Sequence, residues 1–147
     1  MTAPALRPLS PAHLERAAAI EATPPEARTR EQREEELNSP TGRLYGLWAG
    51  DTLVGVAVFQ LILDESSLHT FTVDPACRRH GYGEALLRGA LECLKEEGAL
   101  SCFLEARCQN TPAVSLYRKL GFEQVGLRKR FYHNPEDDGL LMRLEMA

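Results

Sequence analysis

The apolar positions repeat with a helical period at the start of the chain. Over residues 11–22, Leu14, Ala17, Ala18 and Ile20 follow Ser10, a capping residue type, and Pro11 at the first helical position, which predicts a short helix. Thr23-Pro24-Pro25 breaks that pattern, and the charged stretch 26–37 reads as a second, solvated helix or a flap over a substrate. From Arg43 onward strand patterns take over: residues 44–48, a Gly50-Asp51 turn and residues 53–63 predict a hairpin. Residues 64–67 are expected to turn, and 68–73 to form a strand that Asp74-Pro75 stops. Ala85, Leu86, Ala90, Leu91 and Leu94 then make one stripe of a long amphipathic helix closed by Gly98. A strand at 100–107, a helix at 111–120 closed by Gly121, and strands at 122–132 and 140–146 around an Asn134-Pro135 loop complete the order. The pattern predicts a mixed α/β (α+β) sheet with helices on its faces.

Composition narrows the setting. With 147 residues, 44% apolar and a net charge of −4, the chain is expected to fold as a single domain over 1–147 and not to be disordered. The longest apolar stretch, 53–63, is interrupted by Gly55 and Gln60 and is far shorter than the roughly 18 residues of a membrane span, so no membrane association is expected. No basic segment followed by an apolar one opens the chain, which places the protein in the cytoplasm as an expectation. Cys77, Cys93, Cys102 and Cys108 match no metal-ligand spacing and read as reduced thiols, so no metal is expected. Mild acidity argues against direct nucleic-acid binding.

The candidate chemistry sits where the strand ending at Val73 meets the long helix, in Asp74-Pro75-Ala76-Cys77-Arg78-Arg79-His80-Gly81-Tyr82-Gly83-Glu84. Two glycines at a helix start let a ligand approach the backbone and leave N–H groups aimed outward. The helix dipole and two arginines would favour an anion such as a pyrophosphate. Taken alone, the segment is equally a tight turn with solvent-exposed arginines.

Arg78-x-x-Gly81-x-Gly83 after Val73-Asp74-Pro75, with Leu104-Glu105-Ala106-Arg107, Asn110, Ala113 and Leu116-Tyr117-Arg118-Lys119-Leu120-Gly121-Phe122, together resemble the GNAT superfamily of N-acetyltransferases. Leu63-Asp64-Glu65-Ser66-Ser67-Leu68, Arg128-Lys129-Arg130-Phe131-Tyr132, Asp137-Asp138 and Leu140-Leu141-Met142 are similar to its bacterial ribosomal-protein-alanine group. The resemblance runs from about 43 to 146. Arg78 and Ala106 depart from it, standing where a glutamine and a larger aliphatic residue are more frequent.

The resemblance implies a mixed sheet of six or seven strands, splayed at two parallel strands to admit acetyl-CoA, with about four helices. It implies that the backbone of Phe71, Thr72 and Val73 holds the pantetheine arm, with the Val73 N–H at the oxyanion. It implies that N–H groups of Arg79, His80, Gly81, Tyr82, Gly83 and Glu84 hold the pyrophosphate. Asn110, a helix N-cap by its position, and Tyr117 would reach the cofactor as well. Glu105 would be the base and Tyr117 the acid that protonates the leaving thiolate. By position alone, Glu105 is more simply a surface carboxylate paired with Arg107 or a neighbouring strand, and Tyr117 a packing residue. Phe131 and Tyr132, placed in the loop joining the last two strands, would contact the acceptor; strand-end packing is the plain alternative. Arg128-Lys129-Arg130 reads as a strand edge facing water.

The implied activity is acetyl transfer from acetyl-CoA to a primary amine, with a protein or peptide N-terminus, such as that of a ribosomal protein, as acceptor. A small-molecule amine acetyltransferase is the first alternative, and a non-catalytic acyl-CoA-binding module the second.

Overall fold

The protein is described here from a computed structural model, over residues 3–20, 30–77, 80–133 and 136–146. Its strands are β1 (Ala5–Pro8), β2 (Gly42–Ala49), β3 (Thr52–Ile62), β4 (Glu65–Val73), β5 (Ser101–Arg107), β6 (Glu123–Tyr132) and β7 (Asp137–Glu145). Its helices are α1 (Leu14–Ile20), α2 (Arg30–Asn38), α3 (Tyr82–Glu96) and α4 (Thr111–Lys119), with 3-10 turns at Pro11–His13 and Pro75–Cys77. The strands form one sheet in the order β1-β2-β3-β4-β5-β7-β6, antiparallel everywhere except at β4–β5.

Both faces of the sheet are covered at β3, which explains why this strand is a continuous apolar run where a half-exposed strand would alternate. Leu53, Val56 and Val58 pack with Ala17 and Ile20 of α1 and with Leu44 and Trp48. Val54, Ala57 and Phe59 turn the other way, toward Leu86, Leu87, Ala90, Leu91 and Leu94 of α3. That stripe is the expected one with Leu87 added and Ala85 only partly buried, and each leucine buried on it contributes about 2 kcal/mol.

Several boundaries differ from expectation. The strand β1 has no periodic signal, because four residues ending in proline suit only a sheet edge, where Pro8 sits. The first helix opens as a 3-10 turn, and His13, which has no evident partner in the sequence, accepts from the Ser10 N–H through Nδ1 (3.0 Å) and lies 4.9 Å from the Trp48 ring. The Thr23-Pro24-Pro25 break and much of the proposed flap lie outside the described residues. The turn expected over 64–67 shrinks to Leu63-Asp64, because β4 already begins at Glu65. Ser66 looks like a turn residue but is fully buried, its hydroxyl donating to the Ser101 carbonyl at 2.8 Å. A polar residue is tolerated there because that hydrogen bond satisfies it.

The feature that shapes the molecule is an incomplete pairing. Between β4 and β5 the ladder runs from Glu65↔Ser101 to Leu68↔Leu104 and stops, although β4 continues against β3 to Val73 and β5 against β7 to Arg107. At the parting point β4 carries an extra residue: Leu68 pairs with Phe59 and Thr70 with Val58, leaving His69 as a bulge. A bulge bends its strand and increases the local twist, so β4 turns away from β5 there.

Candidate active site

The parted strands open a cavity of about 740 Å³, within the range of small-molecule sites. One wall is β4 from Leu68 to Val73, the other is Leu104, Glu105, Ala106 and Arg107 of β5. Gly81, Tyr82 and Gly83 of the α3 start close one end, and Asn110, Ala113, Leu116 and Tyr117 of the α4 side line the rest.

The chain fits an extended thioester carrying a diphosphate. Strand edges that end their mutual pairing present backbone groups to a guest arm, as in strand addition. At the α3 end Gly81 is the N-cap of the helix, with φ of +75° and no side-chain cap, and a Cβ placed there would meet nothing within 4 Å. Helix geometry leaves the N–H groups of Tyr82, Gly83 and Glu84 without intrahelical partners, and the dipole of this 15-residue helix adds partial positive charge. The Glu84 side chain is turned to Lys119 (2.7 Å) and Arg88 (2.8 Å), whose cations, Lys119 first, hold its carboxyl below the usual range. That leaves its N–H as the group available to an anion.

The two candidate catalytic side chains stand on opposite faces of the sheet. Strand alternation buries Cys102, Leu104 and Ala106 in the core shared with α3 and α4, and puts Phe103, Glu105 and Arg107 on the other side. Tyr117, on α4, is buried in that shared core, with Phe71 and Phe122 rings 6.1 and 5.9 Å away. Burial, reinforced by Tyr132 and Cys102, raises the pKa of its hydroxyl above the ordinary tyrosine value, so it stays protonated. Glu105 pairs with Arg128 Nε of β6 at 3.5 Å. Arg107 lies over the Tyr132 ring at 4.5 Å and donates to the His133 carbonyl at 3.2 Å.

The cavity thus gathers Phe71, Thr72, Val73, Gly81, Tyr82, Gly83, Glu105, Asn110, Tyr117 and Tyr132. Asn110 has the capping geometry expected of it, accepting from the Ala113 N–H at 3.5 Å. His80 and Glu84 adjoin the cavity without lining it, His80 being exposed and stacked on Tyr82 at 5.4 Å. Arg79 lies outside the described residues. Phe131 and Tyr132 correct the sequence reading: they end strand β6 and do not form a loop, and Phe131, 44% exposed, lies outside the lining. The hairpin stays paired that far because Tyr132↔Asp137 closes it after an irregularity at which Arg130 takes φ of +54°. The basic run is largely engaged, Arg128 by Glu105 and Arg130 by Glu136 at 3.2 Å. His69, Thr70, Cys77 and Arg107 also line the site; only the alternation that places Arg107 beside Glu105 signalled any of them.

Gly81 supplies a direct test of the anion end. Gly81→Ala introduces no clash, so its cost to folding is about 1–2 kcal/mol from the left-handed backbone alone. The added methyl enters open space at the helix start, and if the diphosphate rests there, titration calorimetry is expected to show about tenfold weaker acetyl-CoA binding, or ~1.4 kcal/mol.

Residues 12–122 match the acetyltransferase (GNAT) family. The chain is 33% identical over 103 residues to the [ribosomal protein bS18]-alanine N-acetyltransferase of Salmonella typhimurium, covering 69% of this chain and 70% of that one. It is 39% identical over 112 residues to the N-alpha-acetyltransferase RimI of Mycobacterium tuberculosis, covering 74% and 69%. The crystal structure of the ribosomal-protein-S18-alanine N-acetyltransferase from Escherichia coli superposes with a TM-score of 0.92 at 26% identity, over 99% of this chain and 95% of that one. A sheet parted beside a glycine-led helix start, in a chain matched to this extent, is an acetyl-CoA-dependent N-acetyltransferase, and the chain belongs to the GNAT family.

Proposed function

We propose that the protein, acting as one domain, acetylates the N-terminal α-amine of a protein, with a ribosomal protein of the bS18 kind as its acceptor. The observation that carries this reading is the placement of Glu105 across the gap from Tyr117, so that an amine and the departing thiol have separate faces. The names of the similar enzymes from Salmonella typhimurium and Mycobacterium tuberculosis support the acceptor class. A ribosomal acceptor places the enzyme in the cytoplasm.

Acetyl-CoA supplies an activated acetyl group. The strand edge Phe71-Thr72-Val73 orients the arm that carries it, with the Val73 N–H at the carbonyl oxygen, and the loop from Arg79 to Glu84 takes the diphosphate. Asn110 reaches the arm from the start of α4. Glu105 accepts the proton that the ammonium must lose, directly or through water, and the freed lone pair forms the new C–N bond. As the C–S bond breaks, Tyr117 donates its hydroxyl proton to the sulfur. Phe131 and Tyr132 border the acceptor's approach.

Base strength decides between amines. Deprotonating an α-amine of pKa near 8 at pH 7 costs about 1.4 kcal/mol, and a lysine of pKa near 10.4 between about 4 and 5 kcal/mol. One carboxylate suits the first. CoA release is therefore expected with peptides that have a free N-terminus and not with the same peptides blocked, nor with polyamines, amino acids or aminoglycosides. Turnover confined to the small amines would overturn the reading.

A further inference from the structure

One row of side chains on the acceptor face spans three strands. Gly139 of β7 lies opposite Arg107 of β5 on one side and opposite Arg128 of β6 on the other. With no side chain at the middle position, a hollow opens in the row, and two groups fill it from either flank. A Cβ built on Gly139 would lie 3.3 Å from the Glu105 carboxyl carbon and 3.2 Å from the Phe131 Cβ. Arg128 reaches across the same position: its Nε is 3.5 Å from Glu105, and its guanidinium carbon lies 5.2 Å from the centre of the Phe131 ring. The arginine is therefore gripped on both sides, by a carboxylate and by an aromatic face, although it is more than half exposed.

We infer that Arg128 is a positioning and specificity-determining residue, which holds Glu105 toward the acceptor across Gly139 and selects against amines that arrive charged. The inference rests on the reading of Glu105 as the base for an α-amine. Two consequences follow from the geometry. A carboxylate at a strand edge has free rotamers, and its contact with an oriented guanidinium restricts them. A lysine side chain, moreover, arrives almost wholly as an ammonium and must place that charge beside a fixed cation of the same sign. An α-amine of pKa near 8 arrives neutral in roughly a tenth of encounters at pH 7, against less than about a thousandth for a lysine, so far more of it escapes that repulsion. The arginine thus sharpens a preference that base strength alone only begins.

The test uses the full chain, parent and variants, with two peptides of one sequence. The first has a free N-terminus and no lysine; the second is blocked at the N-terminus and carries a single lysine. Arg128→Gln is expected to lower kcat/KM for the first peptide about tenfold, mainly through kcat. The ratio of the two peptides' kcat/KM values should fall by a similar factor. Arg128→Lys, which keeps the charge and loses the planar guanidinium, should keep much of the selectivity and recover only part of the rate. Calorimetric affinity for acetyl-CoA should be unchanged in both, which also reports that the variants are folded. A parent active on the first peptide, with Arg128→Gln within twofold of it in rate and in selectivity, would overturn this inference alone. A parent that leaves the free N-terminus untouched would overturn the proposed function and this inference with it.

Discussion

Glu105→Gln is expected to lower kcat by about 10²–10³-fold while acetyl-CoA binds as before. General base catalysis by a positioned side chain contributes about 10²–10⁴-fold, and glutamine removes the proton acceptor while keeping the volume that fills the hollow over Gly139. Acetyl-CoA affinity is expected to be spared because the end proposed for the diphosphate, at Gly81 and the α3 start, shares no side chain with the proposed acceptor face. The variant should also fold, since Glu105 is partly exposed and its ion pair with Arg128 is long at 3.5 Å. Steady-state kinetics with a saturating free-N-terminal peptide, set beside calorimetry with acetyl-CoA, separate the two effects. A variant that retains parental kcat would move the base elsewhere, and a variant that loses acetyl-CoA binding would make Glu105 part of the cofactor wall.

The parts of the fold that could be read from the chain are those with a local period. The stripe of Leu86, Ala90, Leu91 and Leu94 specifies α3 and its buried face, and the alternation along 102–107 puts Glu105 opposite Leu104. The glycine pair at 81 and 83 is legible as the start of α3, where Gly81 takes the left-handed backbone, but taken alone it does not distinguish an anion site from a tight turn. What the local pattern could not carry is register. Arg128 meets Glu105 only because β6 pairs with β7 through two irregularities, at Gln124/Gly126 and at Arg128/Tyr132, and because β7 presents a glycine between them. Nothing near residue 128 encodes residue 105. Ser66 and the bulge at His69 are similar cases: a serine inside a strand and an extra residue in a ladder acquire meaning only from their partners, Ser101 and Phe59-Val58. The parting of β4 from β5, on which the site depends, was expected from family resemblance, but its local cause, the His69 bulge, is visible only in the paired sheet.

Tyr117→Phe is expected to lower kcat by about 10²-fold and to leave the fold and acetyl-CoA affinity nearly intact. The ring is packed between Phe71 and Phe122, and phenylalanine keeps those contacts, so the change removes one hydroxyl from a cavity wall and no packing volume. In the proposed acid role that hydroxyl keeps its proton throughout the working range: burial raises its pKa above an ordinary tyrosine's value of about 10, so the parent is expected to lose no activity through its ionisation below that pH. The buried thiol of Cys102 is pushed by burial up to about 11 and lies in the core, not on the cavity wall. The acid role has a signature that packing lacks. A thiolate of pKa about 8.5 benefits from a proton as it departs, and a more acidic thiol benefits less. An acetyl donor with a more acidic leaving thiol should therefore narrow the gap between Tyr117→Phe and the parent, whereas a purely structural tyrosine would keep the gap constant across donors. A constant gap, or a variant as fast as the parent with acetyl-CoA, would assign the thiolate's proton to water or to another group.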